Sequence, residues 1–137
     1  MGEAYVLDSF AVLALLGREV GSEEVARLLR QAEQGKARLL MTWVNVGEVA
    51  YVIERRFGRR KLAQVLATLE ATSLEIVSVA REMALAAARI KAEHSLAYAD
   101  AFAAALAVRN GAALVTGDEV LTVLEGTLRI HWLRREK

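Results

Sequence analysis

Short apolar runs, separated by segments long enough for helices, constrain the fold of this chain most strongly. The runs are AYVL (4–7), ARLLMT (37–42), LEIVSV (74–79) and AALVT (112–116), with LRIHWL (128–133) as a weaker fifth. Strands that are apolar on both faces are typical of a parallel sheet covered by helices on each side. We therefore predict an α/β fold, a three-layer sandwich with a mostly parallel, about five-stranded sheet, and a single domain over residues 1–137.

The segments between these runs have the apolar spacing of helices. Ser22 is expected to cap the second helix, and Gly17, Gly35 and Gly58 are expected to end three of them. The predicted helices cover about residues 9–16, 23–34, 43–57, 59–71, 80–93, 97–109 and 119–124.

Composition excludes several classes of site and partner. The chain has no cysteine and only two histidines, so a bound metal ion would be held by oxygen ligands. A net charge of +1 gives no strong overall attraction to nucleic acid. No apolar segment is long enough to cross a membrane and no signal peptide is recognisable, so we expect a cytoplasmic protein without membrane association. Hydrophobic residues make up 55% of the chain, which favours a protein partner.

All three aspartates fall where ligands bind in such a fold. Asp8 directly follows the first predicted strand, and Asp118 follows the fourth by two residues. Asp100 lies near the start of the helix that leads into the fourth strand, and that helix begins at the carboxyl edge of the sheet. Ligands of parallel α/β sheets bind at this edge. The sequence therefore predicts that the three carboxyl groups converge.

Glu48 is expected at the same edge, on the helix that follows the second strand. Thr42, Asn45 and Glu48 are spaced by three and form one polar face of an apolar helix start. Carboxylates brought together in this way repel by roughly 4 kcal/mol per pair at about 4 Å. Since no lysine or arginine lies in these local segments, a divalent cation, Mg²⁺ or Mn²⁺, is the expected compensating charge. Ser9 and Thr116 are placed to orient the acids by hydrogen bonds.

Four sequence motifs carry these acids. They are YVLDSFAVLALL around Asp8, MTWVNVGEVAYVI around Glu48, HSLAYADAFAAALA around Asp100 and LVTGDEVL around Asp118. Together they resemble the PIN-domain nucleases, and most of all their VapC-type toxin branch. The resemblance extends over essentially the whole chain.

The resemblance implies a parallel sheet flanked by helices and RNA cleavage that depends on Mg²⁺ or Mn²⁺ and leaves a 3′-hydroxyl and a 5′-phosphate. It also implies a homodimer and a cognate antitoxin protein that blocks the site. By the resemblance, Asp8, Glu48, Asp100 and Asp118 match the family's catalytic and metal-binding acids, and Thr116 matches the threonine of its fourth motif.

One motif departs from the family pattern. The family often has a further acid and then a phenylalanine where this chain has Val120 and Leu121. One bound metal ion is therefore expected, and a second one only if Glu119 substitutes for the absent acid.

Simpler structural roles stay open for the same residues. Asp8 and Asp118 could cap the helices that follow them. Glu48 could form an ion pair with Arg55 or another arginine, and the hydroxyl side chains could serve only helix starts and turns. The two histidines, His94 and His131, are expected on loops or at the surface and receive no function.

A basic run, ERRFGRRK (54–61), separates two of the predicted helices. Its cations are Arg55, Arg56, Arg59, Arg60 and Lys61. They could bind an RNA backbone or an acidic antitoxin tail, or form a solvated helix junction, and the sequence favours none of these.

The predicted function is a metal-dependent endoribonuclease, the toxin of a toxin–antitoxin pair with RNA as its substrate. One alternative is a non-catalytic PIN-like module that uses its acids to bind a basic partner. Another is a receiver-like phosphoacceptor domain, since Asp8 follows the first strand of a parallel sheet. The receiver hypothesis lacks an adjacent acidic pair near Asp8 and a lysine after a later strand.

Overall fold

The computed structural model describes residues 2–133 as one sheet between two layers of helices. The strands are β1 (Glu3–Leu7), β2 (Ala37–Thr42), β3 (Glu75–Val77), β4 (Ala113–Thr116) and β5 (Ile130–Trp132). The helices are α1 (Ser9–Leu16), α2 (Ser22–Glu33), α3 (Trp43–Ala71), α4 (Arg81–Glu93) and α5 (Tyr98–Asn110), followed by a short 3₁₀ helix (Glu119–Leu124). The predicted α/β sandwich is confirmed.

The sheet has five strands in the order β3-β2-β1-β4-β5, and every neighbouring pair is parallel. The chain builds outward from β1 to β3 on one side and then places β4 and β5 on the other. The carboxyl ends of β1 and β4 are adjacent at this change of direction, where Leu7 pairs with Val115. In open α/β sheets such a switch point is the usual position of a ligand site.

Two separate cores lie on the two faces of the sheet, because successive strand residues point in opposite directions. Val6, Leu40 and Leu114 pack with α4 and α5, whereas Leu7, Met41 and Val115 pack with α1, α2 and α3. Asp8, Thr42 and Thr116 each follow a residue of the second core by one position. The same alternation therefore directs them toward the α5 side at the carboxyl edge.

Two helix boundaries involve glycines in the left-handed region of φ. Gly21, with a φ of 95°, occupies the N-cap of α2, so the expected cap at Ser22 is wrong and Ser22 is the first helical residue. The predicted helices 43–57 and 59–71 join as α3 across a kink at Gly58, which has a φ of 90° and a ψ of 174°. The kink lies at the position predicted for the break.

His131 has a structural position that the sequence analysis missed. It lies in β5, and its Nε2 atom is 2.6 Å from Oε2 of Glu24 on α2. Its ring also meets the ring of Tyr5 edge-on, with centroids 5.6 Å apart. His131 therefore joins an edge strand to a helix. No helix within residues 2–133 combines the length and the apolar character needed to span a bilayer.

Candidate active site

Asp8 is the most buried acid of the candidate site, with 1% of its surface exposed. Its Oδ1 atom accepts a hydrogen bond from the amide of Ala11 at 2.9 Å, so Asp8 does cap α1 as the simpler hypothesis expected. Burial raises the pKa of Asp8 to about 7, and the nearby charges of Asp100 and Asp118 act in the same direction. Hydrogen bonds from Thr116 and Ala11 only partly offset this effect.

Thr116 links the two aspartates that follow β1 and β4. It is fully buried, and the pairing of Leu7 with Val115 brings it beside Asp8. Its hydroxyl donates to Asp8, and its Oγ1 atom accepts from the amide of Asp118 at 3.0 Å. Asp118 in turn caps the 3₁₀ helix by accepting from the amide of Val120 at 3.1 Å.

Asp100 lies in the first turn of α5 and is half-buried. Burial, together with the charges of Asp118 and Glu48, raises the pKa of Asp100 to about 6, against one hydrogen bond from the backbone of Ala97 that lowers it. Each of the four acids therefore acts electrostatically on at least one of the others. Among the described residues, no cation contributes to the pKa shift of Asp8 or to that of Asp100.

Glu48 is held by a hydroxyl group and not by a cation. Its Oε1 atom accepts a hydrogen bond from the hydroxyl of Ser9 at 2.5 Å, which ties α3 to α1. Within residues 2–133 Glu48 forms no ion pair, so the alternative of a pair with Arg55 is wrong.

Asn45 fastens the start of α3 to the start of α5. It is fully buried, and its Nδ2 atom donates to the carbonyl of Ala99 at 3.0 Å, next to Asp100. The hydroxyl of Thr42 donates to Oδ1 of Asn45 at 2.6 Å and accepts from the Asn45 amide at 3.0 Å. The sequence placed Asn45 on the polar face of α3, but nothing local indicated its partner 54 positions away.

The four carboxyl groups do not form a ready-made ion cage. No group of three or more acidic or histidine side chains within residues 2–133 is arranged so that it could hold one metal ion. Asp8, Asp118 and Glu48 are instead turned toward hydrogen-bond donors of the protein. The donor set nevertheless suits a hard divalent cation, since it consists of oxygen ligands whose mutual repulsion is offset by no cation of residues 2–133.

The basic run lies farther along α3 and remains exposed. Arg55, Arg56, Arg59, Arg60 and Lys61 surround the kink, about 10–20 Å beyond Glu48 along the helix. Arg59 pairs with Glu54 at 3.5 Å. Glu119, the expected substitute for the absent acid, is exposed at the start of the 3₁₀ helix.

Two clefts lie elsewhere on the surface, and none of the four acids lines either of them. A cleft of about 1230 Å³ is lined by residues that include Arg18, Glu24, Arg27 and His131. Another of about 760 Å³, between α1 and α3, is lined by residues that include Phe10, Leu13, Val52, Phe57 and Lys61.

Comparison with known proteins agrees with this architecture. The pattern of the PIN domain family matches residues 5–126. No curated protein matches the sequence.

Solved structures with a similar fold include proteins of toxin–antitoxin systems. A chain of the promoter-DNA-bound VapBC2 from Rickettsia felis has a TM-score of 0.75 and 15% identity, with 96% of this chain and 99% of that chain covered. A chain of DNA-bound VapBC from Salmonella typhimurium has a TM-score of 0.73 and 18% identity, covering 96% and 98%. VapC20 from Mycobacterium tuberculosis, described as a sarcin-ricin loop cleaving toxin, has a TM-score of 0.67 and 17% identity, covering 88% and 94%.

Proposed function

This chain belongs to the PIN domain family, and we propose that it is a metal-dependent endoribonuclease that acts as the toxin of a toxin–antitoxin pair. The observation that carries the proposal is the mutual electrostatic effect of Asp8, Glu48, Asp100 and Asp118 at the switch point of the sheet. Such a concentration of uncompensated carboxyl groups is unfavourable in a purely structural role, and it is useful where a cation binds.

Asp8, Asp100 and Asp118, with Glu48, would hold Mg²⁺ or Mn²⁺. When bound, such an ion activates water and neutralises the charge that develops on a phosphodiester. The protein's own residues prepare the site: Ser9 orients Glu48, and Thr116 orients Asp8 and the amide of Asp118. The first turn of α5 adds partial positive charge for a phosphate group.

The similar structures support the proposed partners. The R. felis and S. typhimurium proteins are VapBC complexes, which supports a cognate antitoxin protein for this chain. The loop-cleaving activity named for VapC20 supports RNA as the substrate. We further propose a homodimer that acts in the cytoplasm, where cellular RNA is found.

The test is cleavage of single-stranded RNA with and without Mn²⁺. We expect Asp8→Asn and Glu48→Gln to lower the rate by roughly 10²-fold or more, because each removes a charge that an ion would need. Glu70→Gln is the matched control, since Glu70 is an exposed carboxylate on the same helix as Glu48. Cleavage by Asp8→Asn at the wild-type rate would contradict the proposal.

The alternatives are separable. The strand order β3-β2-β1-β4-β5 differs from the order 2-1-3-4-5 of receiver-like domains, so the phosphoacceptor hypothesis does not fit the observed sheet. A non-catalytic binding module would show neither Mn²⁺ binding in calorimetry nor cleavage of any RNA.

A further inference from the structure

A row of exposed residues runs along α3 from the acidic edge of the sheet to the basic run. Trp43, Gly47, Tyr51 and Arg55 are spaced by four residues, so they form one ridge on the helix surface. Trp43 is 40% exposed and Tyr51 is 56% exposed. The row is about 18 Å long, and we call it the α3 row.

The α3 row begins at the candidate active site. Trp43 follows Thr42, the last residue of β2, and is the first residue of α3. Two positions later, Asn45 binds the carbonyl of Ala99, the neighbour of Asp100. The first aromatic ring of the row therefore stands on the helical turn that is fastened to the Asp100 turn.

We propose that the α3 row is a track for single-stranded RNA, on which Trp43 and Tyr51 stack against bases and Arg55 contacts the phosphate backbone. This inference rests on the proposed nuclease function and names how its substrate is held. Aromatic side chains in a basic groove bind single strands because every base offers a flat face for stacking.

The space between the two rings fits this role. The Cα atoms of Trp43 and Tyr51 are about 12 Å apart along the helix, since they are separated by eight residues. A Cβ atom added at Gly47, halfway between them, would meet no atom within 4 Å apart from its chain neighbours and the adjacent backbone of α3. The helix surface between the two aromatic residues is therefore unobstructed at Gly47, which leaves room for an unpaired base.

Charge favours a polyanion over a second copy of this chain as the occupant. Of the five cations in the basic run, only Arg59 forms an ion pair among the described residues, with Glu54. Arg55, Arg56, Arg60 and Lys61 are exposed and lack an acidic partner in that part of the chain. A copy of the chain, with a net charge of +1, compensates these cations less well than phosphates do.

The direct test uses the fluorescence of Trp43. The chain has two tryptophans, so Trp132→Phe leaves Trp43 as the sole reporter. The probe is an oligouridine of about ten nucleotides, added in EDTA so that it is bound without being cleaved. We expect quenching of the Trp43 fluorescence on binding, because a base stacks on the indole ring.

Variants then separate the α3 row from other aromatic surfaces. Trp43→Ala and Tyr51→Ala are each expected to weaken oligouridine binding about tenfold, whereas Trp43→Phe, which keeps a ring, retains most of the affinity. Phe57→Ala is the matched control, because Phe57 is a 62% exposed aromatic residue of α3 that lies off the row and lines the cleft toward α1. Arg55→Gln should reduce by about 0.7 the slope of a plot of log K for oligouridine binding against the logarithm of the salt concentration.

The outcomes distinguish the two proposals. Oligouridine binding that leaves Trp43 fluorescence unchanged would overturn the RNA track. The RNA track would also be overturned if the Tyr51→Ala variant were a monomer, the wild type an oligomer, and the two bound RNA equally well. That result would show that the α3 row binds a second copy of the chain. If oligouridine quenches Trp43 but the wild-type protein shows no Mn²⁺-dependent cleavage, the proposed RNA track is supported and the proposed nuclease function is refuted.

Discussion

Asp8 carries a carboxyl group where its charge is costly. It is 1% exposed, and the acids Asp100 and Asp118 act on it with the same sign of charge. Its pKa of about 7 lies about three units above the value in an unfolded chain, and one unit corresponds to about 1.4 kcal/mol. At neutral pH the metal-free protein therefore loses roughly 4 kcal/mol of stability through this single group.

Replacement of Asp8 is expected to stabilise the metal-free protein in a pH-dependent way. Between pH 4 and 7 the folded protein keeps a proton that the unfolded chain has released, so stability falls as the pH rises. Asp8→Asn, which retains the acceptor for the Ala11 amide, should be more stable than wild type by up to about 4 kcal/mol at pH 8 and nearly equal at pH 4. Urea unfolding in EDTA at both pH values measures this difference, and equal stabilities at pH 8 would contradict it.

Asn45 links α3, which carries Glu48, to α5, which carries Asp100. Its replacement should reduce activity by more than the accompanying loss of stability explains. Asn45→Ala removes the donor to the Ala99 carbonyl and the acceptor for the Thr42 hydroxyl proton, at a cost of about 1–3 kcal/mol. Asn110→Ala is the control, because Asn110 donates to the carbonyl of Leu106 at the opposite end of α5.

Cleavage and Mn²⁺ affinity, measured well below the unfolding temperature, should fall about tenfold for Asn45→Ala and stay at the wild-type level for Asn110→Ala. Equal losses in the two variants would show that Asn45 acts only through stability.

At the scale of elements, α3 changes direction through one backbone conformation. Gly58 has a φ of 90° and a ψ of 174°, in a region that residues with a Cβ atom rarely adopt. A Cβ atom there would meet no other atom within 4 Å, so any cost of substitution comes from the backbone alone.

Two glycine substitutions in α3 should therefore change the stability of the protein in opposite directions. Gly58→Ala is expected to destabilise the protein by about 1–3 kcal/mol. Gly47→Ala, at a helical position with equally open space, should stabilise it by roughly 0.5–1 kcal/mol. Thermal unfolding of both variants gives the comparison, and a stabilising Gly58→Ala would mean that the kink is not a fixed feature of α3.

Local patterns predicted most elements because glycines and apolar runs act over a few residues. Helix α1 and strand β2 have the predicted bounds, and the break at Gly58 falls where the glycine indicated it. The cap at Ser22 was predicted wrongly, because the chain enters α2 through a left-handed Gly21. The contact of His131 with Glu24 joins residues 107 positions apart, for which a single sequence holds no local signal.

Across the molecule, the sequence predicted that the acids follow strands or lie at helix starts, but not how their side chains are held. Their places after strands and at helix starts follow from alternation alone, whatever the strand order. The burial of Asp8, the Ser9–Glu48 hydrogen bond and the absence of a ready-made ion cage depend on packing between distant segments. Side-chain orientation of this kind has no periodic signature in a sequence.

Binding of the proposed cation competes with binding of protons to the same acids. Burial and mutual repulsion hold the pKa of Asp8 at about 7 and that of Asp100 at about 6, so a cation must displace protons from these groups at acidic pH. Binding to the folded state alone raises stability by an amount that grows with affinity. We therefore expect the same fixed concentration of Mn²⁺ to raise the melting temperature clearly at pH 8 and much less at pH 5. Thermal unfolding of the wild type and of Asp8→Asn, with Mn²⁺ and with EDTA, tests this coupling. The same Mn²⁺ shift at both pH values, or an undiminished shift in Asp8→Asn, would place the bound ion away from these acids.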